Sequence, residues 1–221
     1  MHVHETLHEI EGSLEKHGVR PIERLHRLGL LGPQLIAVHA VHLEAGEIDL
    51  LAHEGCHLAH CPTSNLKLGS GIPPLSAIEV RGLNFGLGTD GAASNNRLDL
   101  FHEMRHAALL AKGSSRNAEA LDAHATLRAA TLGGAQALGL EDRIGSLLPG
   151  KAADLCAVRL DEWLMQPCFD PASHLVYAAG REQVTHTWVA GMLAMCNGAP
   201  SRIDISELLD IAGLWHTRLT S

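Results

Sequence analysis

The chain opens with MHVHET, Met1 to Thr6. Alternation projects His2 and His4 from one face of an extended strand, and Glu5 follows at once, so nitrogen and carboxylate donors gather where that strand ends. Working outward, the same design recurs. LIAVHAVHL (Leu35–Leu43), CHLAHCP (Cys56–Pro62) and NFGLGTDG (Asn84–Gly91) are short apolar runs that each finish in polar or ionisable residues. Helical patterns separate them: Thr6 to His17; PIERLHRLGLL, opened by Pro21; EAGEIDLLAHEG, closed by Gly55; and PPLSAIEVRG, with two prolines at its start and Gly82 at its end. Behind the fourth run, LDLFHEMRHAALLAK carries Leu98, Phe101, Ala108 and Leu109 at helical spacing. The alternation predicts successive βα units and a parallel sheet. Parallel α/β architectures build their sites at the C-terminal ends of strands, which here hold Glu5 and Thr6, His39 and His42, His60 to Asn65, and Thr89 and Asp90.

From about Leu140 the pattern changes. RIGSLLPGKAADLCAVRL has two short apolar runs around a Pro-Gly turn, and QVTHTWVAGMLAMCNG reads as a hairpin with Gly191 at its turn. A small β-rich layer follows from these, and SELLDIAGLWHTRL reads as an amphipathic closing helix. Trp163, Trp188 and Trp215 all fall in this last third, where they are expected to pack the layer and the helix.

Composition narrows the function classes. Of 221 residues, 46% are hydrophobic and 19% charged, as in a soluble globular protein. The net charge of -8, with Lys and Arg scattered, lacks the basic footprint of a nucleic-acid or anionic-membrane binder, so neither partner is expected. No run approaches the roughly 18 apolar residues of a membrane span. Five cysteines without a C-x-x-C pair, and no signal peptide, point to the cytoplasm and to thiols used mostly as small buried hydrophobes. Aromatic residues are only 3%, so the core is aliphatic, whereas sixteen histidines exceed what packing calls for. Taken singly, each candidate has a plain structural role: a strand histidine is more often a satisfied structural residue than a ligand, Asp90 in GTDG starts a turn, and Gly69 and Gly71 punctuate a loop. Together, His2, Glu5, His39 and Asp90 fall on one rim of successive strands.

The stretches HVHET, HAVHL, HCPTSNLKLGSGIPPL, GLGTDGAASNN with LDLFHEMRHAALLAK behind it, and GSLLPGKAADL resemble the amidohydrolase superfamily, and within it the methylthioadenosine/S-adenosylhomocysteine deaminases. The similarity runs from His2 to roughly Val189. PGKAADL is general to the superfamily; TDGAASNN after TSNLKLGSG is narrower and separates the chain from guanine-type and triazine-type relatives. The resemblance implies an α/β fold, the C-terminal half of a (β/α)8 TIM barrel over residues 1–139, followed by a small β-rich composite domain with a C-terminal helix over residues 140–221. It implies a metal-dependent aminohydrolase that converts an adenine nucleoside to the inosine-type product and ammonia.

Residue by residue, the resemblance makes His2 the metal ligand of the fifth barrel strand and Glu5 the general acid/base. His39, rather than His42, becomes the sixth-strand histidine that contacts the substrate and the attacking water. Asp90 becomes the eighth-strand carboxylate that binds the metal and moves a proton, Ser94 a substrate contact, and His60 and Asn65 parts of the pocket wall. The cofactor implied is one divalent ion, zinc first, with iron, manganese and nickel accepted by the same donors; the partner implied is a small purine nucleoside.

The chain departs from the family pattern in two respects: neither the first-strand His-x-His that completes the metal site nor the family's segments that grip the nucleoside sugar are in this sequence. A closed barrel needs eight strands and about 250 residues, and a catalytic zinc normally takes three or more protein ligands. The expectation is that the sequence is the C-terminal part of a longer deaminase, with Met1 internal to it, inactive alone, and prone to form a homo-oligomer through open sheet edges. Two alternatives stand beside it: a guanine, oxidised-purine or amino-triazine hydrolase of the same superfamily, and a non-catalytic degenerate fragment.

Overall fold

A computed structural model describes residues 1–220. Its first part alternates strands and helices: β1 (His2–Val3), α1 (Leu7–His17), α2 (Pro21–Arg27), β2 (Ile36–His39), α3 (Ala45–His53), β3 (His57–His60), α4 (Pro62–Lys67), α5 (Leu75–Val80) and β4 (Phe85–Leu87). Then come α6 (Leu100–Ser115), α7 (Ala123–Arg128), a π-helical turn over Ala129–Gly133, and α8 (Gly134–Ala137). The second part holds β5 (Leu155–Val158), α9 (Pro171–Tyr177), β6 (Val184–Val189), β7 (Met192–Cys196), β8 (Ala199–Pro200) and α10 (Ile205–Thr220).

Local chemistry sets these boundaries. The Thr6 side chain accepts from Glu9 N–H to cap α1, and Gly18, at φ 70°, ends it in the left-handed region that glycine adopts freely. Pro21 opens α2 at a position where no amide is needed. Glu44 and Glu47 form a reciprocal capping box on α3. Asp99 caps α6 by accepting from Phe101 N–H.

The first sheet is parallel in the order β1-β2-β3-β4. Val3, Ala37, Leu58 and Phe85, one from each strand, share a core with Ile22 of α2, Ile48 and Leu51 of α3, Leu75 and Ile78 of α5, and Ala107 and Ala111 of α6. The helices therefore cover one face of the sheet, while Val38, His57 and Ala59 on the other are only half-buried. The second sheet is antiparallel, β5-β6-β7-β8. Its central hairpin turns at Ala190 and Gly191, both with positive φ (49° and 76°), as a two-residue turn matched to strand twist requires.

Four expectations are corrected. His2 and His4 do not share a face, because the strand stops at Val3 and His4 turns away at φ 54°. CHLAHCP ends as a strand at His60, since Pro62 starts a helix. RIGSLL forms turns rather than a strand, leaving β5 alone in that segment. Trp163 and Trp215 are 81% and 55% exposed instead of packed, and α10 buries no residue. Of the thiols, Cys56 and Cys61 are buried but Cys156 is exposed.

The π-helical turn lies directly on β4. A Cβ at Gly86 would come within 2.8 Å of Gly134 Cα, and one at Gly133 would collide with the Phe85 carbonyl. Both neighbours are backbone and cannot swing aside. Gly133→Ala is expected to destabilise the fold by about 1–3 kcal/mol in chemical denaturation, the cost of overpacking; an unchanged midpoint would show that the turn has room to move.

Candidate functional site

The polar ends of the four parallel strands meet on one rim. His39 ends β2 with φ 71°, and Asp90, beyond β4, has φ 60°. Such left-handed backbone is uncommon for non-glycine residues and persists where its surroundings over-determine it. Its effect here is to aim both side chains at the rim. The His39 Nε2 lies 3.7 Å from Glu5 Oε2 and 4.0 Å from Asp90 Oδ2, so one imidazole stands between carboxylates from the two outer strands. Its Nδ1 is 2.8 Å from Asn65 Oδ1. With that amide oxygen accepting, the Nδ1 proton is held away from the carboxylates and Nε2 faces them.

Each carboxylate is held in turn. Asp90 Oδ2 accepts from Ser64 Oγ at 2.7 Å and from Ser94 Oγ at 3.0 Å, while Oδ1 accepts from Gly91 N–H at 2.8 Å. The Ser64 hydrogen bond is the main reason the Asp90 carboxyl sits below the usual range, so it is ionised near neutral pH. Glu5 is fixed at its backbone, which donates to Glu9 Oε2 at 2.9 Å, and Ser70 Oγ reaches its Oε1 at 3.4 Å. Its Oε2 is the oxygen turned to His39.

His2 stacks obliquely against His39, ring centroids 5.0 Å apart. His2, Glu5 and His39 each offer a ligand atom, and these atoms lie within 4.8 Å of one another. Nitrogen and oxygen donors at that spacing fit a divalent ion such as zinc, and Asp90 borders the same imidazole.

The structure thus brings together His2, Glu5, His39, Asp90 and Ser94, and makes Asn65 the partner of His39. His60 lies deeper: it is 2% exposed, and among the described residues neither ring nitrogen has a hydrogen-bond partner. Burial, and secondarily His39, pushes its pKa down to about 3. His42 turns aside to the Ser70 carbonyl at 2.9 Å. His4 is fully buried, where Arg20 and Glu47 approach its Nδ1. Sequence reasoning passed over Ser64 and Ser70, which hold the two carboxylates. Ser64 stands one position before Asn65 in TSN, and the helix α4 that aims it was not expected.

The amidohydrolase family profile matches residues 1–194. The chain belongs to the amidohydrolase family. This amidohydrolase chain is 44% identical over 219 residues to a 5-methylthioadenosine/S-adenosylhomocysteine deaminase of Teredinibacter turnerae, covering 99% of the chain and 50% of that relative. Among solved structures it is similar to an adenosine deaminase from Xanthomonas campestris with bound zinc, at 49% identity and TM-score 0.97, covering 99% of this chain and 50% of that one. It is also similar to an atrazine chlorohydrolase from Arthrobacter aurescens complexed with zinc, at 30% identity and TM-score 0.90, covering 96% and 47%. The chain spans about half the length of the curated relatives it matches. The parallel sheet is accordingly part of a TIM-barrel architecture.

The buried His60 generates a pH prediction. Its ordinary pKa is 6.5 and its folded value about 3, so between these values the unfolded chain holds a proton that the folded chain refuses. Its contribution is intact above 6.5 and is lost as pH falls through that window, by up to about 1.4 kcal/mol per pH unit. Thermal melts of His60→Asn are expected to decline less steeply than the parent between about pH 6.5 and pH 4.5; parallel declines would refute the neutral buried state.

Proposed function

We propose that this chain carries the proton-transfer end of an enzyme that hydrolytically deaminates adenine nucleosides, with methylthioadenosine, S-adenosylhomocysteine and adenosine as the substrate class. The observation that carries this is the His39 imidazole set between Glu5 and Asp90 with His2 beside it. Similarity to deaminases at 44% and 49% identity supports the choice of substrate class. In this proposal residues 1–139 supply the catalytic wall and residues 140–221 a separate β-rich unit. His2 and Asp90 would hold a divalent metal, zinc by the similarity to zinc-bound relatives. When bound, such an ion lowers the pKa of water to about 7 and so supplies the nucleophile at neutral pH.

The chain's own residues do the rest. Glu5, with Oε2 open to the rim, takes the proton of the attacking water and delivers it to a purine ring nitrogen, which makes the amino-bearing carbon electrophilic. His39 keeps its Nδ1 proton on Asn65 and presents Nε2 to the water and the substrate, which fixes the attack direction. Asp90, ionised by its hydroxyl partners, accepts the remaining proton of the hydroxyl that the water has added to the purine carbon and passes it to the departing amine, so the C–N bond breaks and ammonia leaves. Ser94, bonded to Asp90, stands where it can contact the substrate. His60 and Asn65 back the pocket from below. A cytoplasmic setting and association through the outer edges of β1 and β4, as a homo-oligomer or with further strands, belong to the same proposal.

The test is ammonia release by the protein expressed from the complete reading frame that encodes this chain. Methylthioadenosine, S-adenosylhomocysteine or adenosine should be turned over, and guanine and amino-triazines should not; the reverse preference would replace the substrate class, and no turnover of any would leave a non-catalytic fragment. Glu5→Gln should keep metal content but lower turnover by a factor of about 10², and near-parent turnover would remove Glu5 from proton transfer. Asp90→Ala should lower metal content in elemental analysis, and unchanged content would cancel its ligand role.

A further inference from the structure

One turn into α6 sits Glu103, 1% exposed. A buried carboxylate is costly unless hydrogen-bonded, and Glu103 is: its Oε2 accepts from Thr63 N–H at 3.0 Å and its Oε1 from the Asn95 side-chain amide at 2.6 Å. Its place in the first turn of a 16-residue helix also favours negative charge. The two donors belong to different parts of the site. Thr63 lies in the first turn of α4, directly before Ser64, which holds Asp90, and Asn65, which holds His39. Asn95 closes the loop that carries Asp90: its amide nitrogen also donates to the Thr89 carbonyl at 2.9 Å, and its oxygen accepts from the backbone of Arg97 and Leu98. Asn95 is itself 1% exposed, so water offers its amide no substitute for Glu103.

We propose that Glu103 is a positioning residue for the deamination: its two oxygens fix the start of α4 and the 89–95 loop at one separation, and thereby aim the Asp90 carboxylate and the His39 imidazole. The inference rests on the roles given to Asp90 and His39 above. Glu103 itself touches neither of them in any hydrogen bond among the described residues. A carboxylate is required because both oxygens face donors. The amide of a glutamine would set an N–H group against Thr63 or Asn95, so one of the two arms would be lost.

The test compares Glu103→Gln, Ser64→Ala and their combination, reading backbone amide exchange together with kcat and KM for methylthioadenosine in the protein from the complete frame. Exchange should quicken in both the 62–66 and 89–96 segments of Glu103→Gln and little elsewhere. Turnover should fall about 10-fold to 10²-fold through misplacement, with KM changed by less than about threefold. In the Ser64→Ala background the further loss should be several-fold smaller, because both changes act on Asp90. Losses that multiply fully, or a kcat equal to the parent's, would reduce Glu103 to a core anchor. Should Glu103→Gln not fold, Glu103→Asp keeps both acceptors on a shorter stem and is read the same way. If the parent deaminates none of the nucleosides, the functional proposal falls, and exchange alone decides: parent-like exchange in both segments overturns the positioning role.

Discussion

The imidazole of His39 stands between carboxylates that arrive from the two outer strands of one parallel sheet. Glu5 follows β1 and Asp90 follows β4, with β2 and β3 between them, so these three groups meet only if the sheet curves and all its registers hold. A slip of one residue in any strand would turn its rim residue away. That constraint explains why the core is placed as it is. Val3, Ala37, Leu58 and Phe85, one from each strand, lock against four helices, α2, α3, α5 and α6, and the polar side chains are left to the rim at the strand ends. It also explains the left-handed backbone at His39 and Asp90, where strand ends bend so that their side chains point into the rim.

Around this arrangement the polar partners divide the work. Hydroxyls from Ser64 and Ser94 keep Asp90 ionised and oriented, the Asn65 amide sets the His39 tautomer, and Ser70 reaches Glu5. Three of these four partners lie between Ser64 and Ser70, on or just after a six-residue helix. A helix that short contributes little stability of its own. Its hold on the rest of the fold comes through Thr63 and Glu103, and through Lys67, which reaches the Ala93 carbonyl and the Asn96 side chain.

Much of this was legible in the sequence because each strand announces itself twice, by an apolar run and by a polar residue at its end. His2, Glu5, His39 and Asp90 were located that way, and the structure brings them to one rim. The α4 helix escaped notice because six residues give too few positions for helical periodicity, and Pro62 read as the end of a strand instead of the start of a helix. Ser64 escaped with it. His4 misled in the opposite sense: alternation with His2 promised a shared face, but the strand ends at Val3 and the ring is buried beside Arg20 and Glu47. The tryptophans show that size alone does not predict burial, since Trp163 and Trp215 stay exposed.

The central claim is that residues from successive strand ends form one metal-centred hydrolytic site. Anomalous diffraction at the zinc absorption edge, on crystals of the zinc-loaded protein from the complete frame, tests it most directly. The account predicts one ordered ion bonded to His2 and Asp90 at about 2.0–2.2 Å, with Glu5 and His39 facing it. An ion bound away from these strand ends, or no ordered ion at saturating zinc, would contradict it.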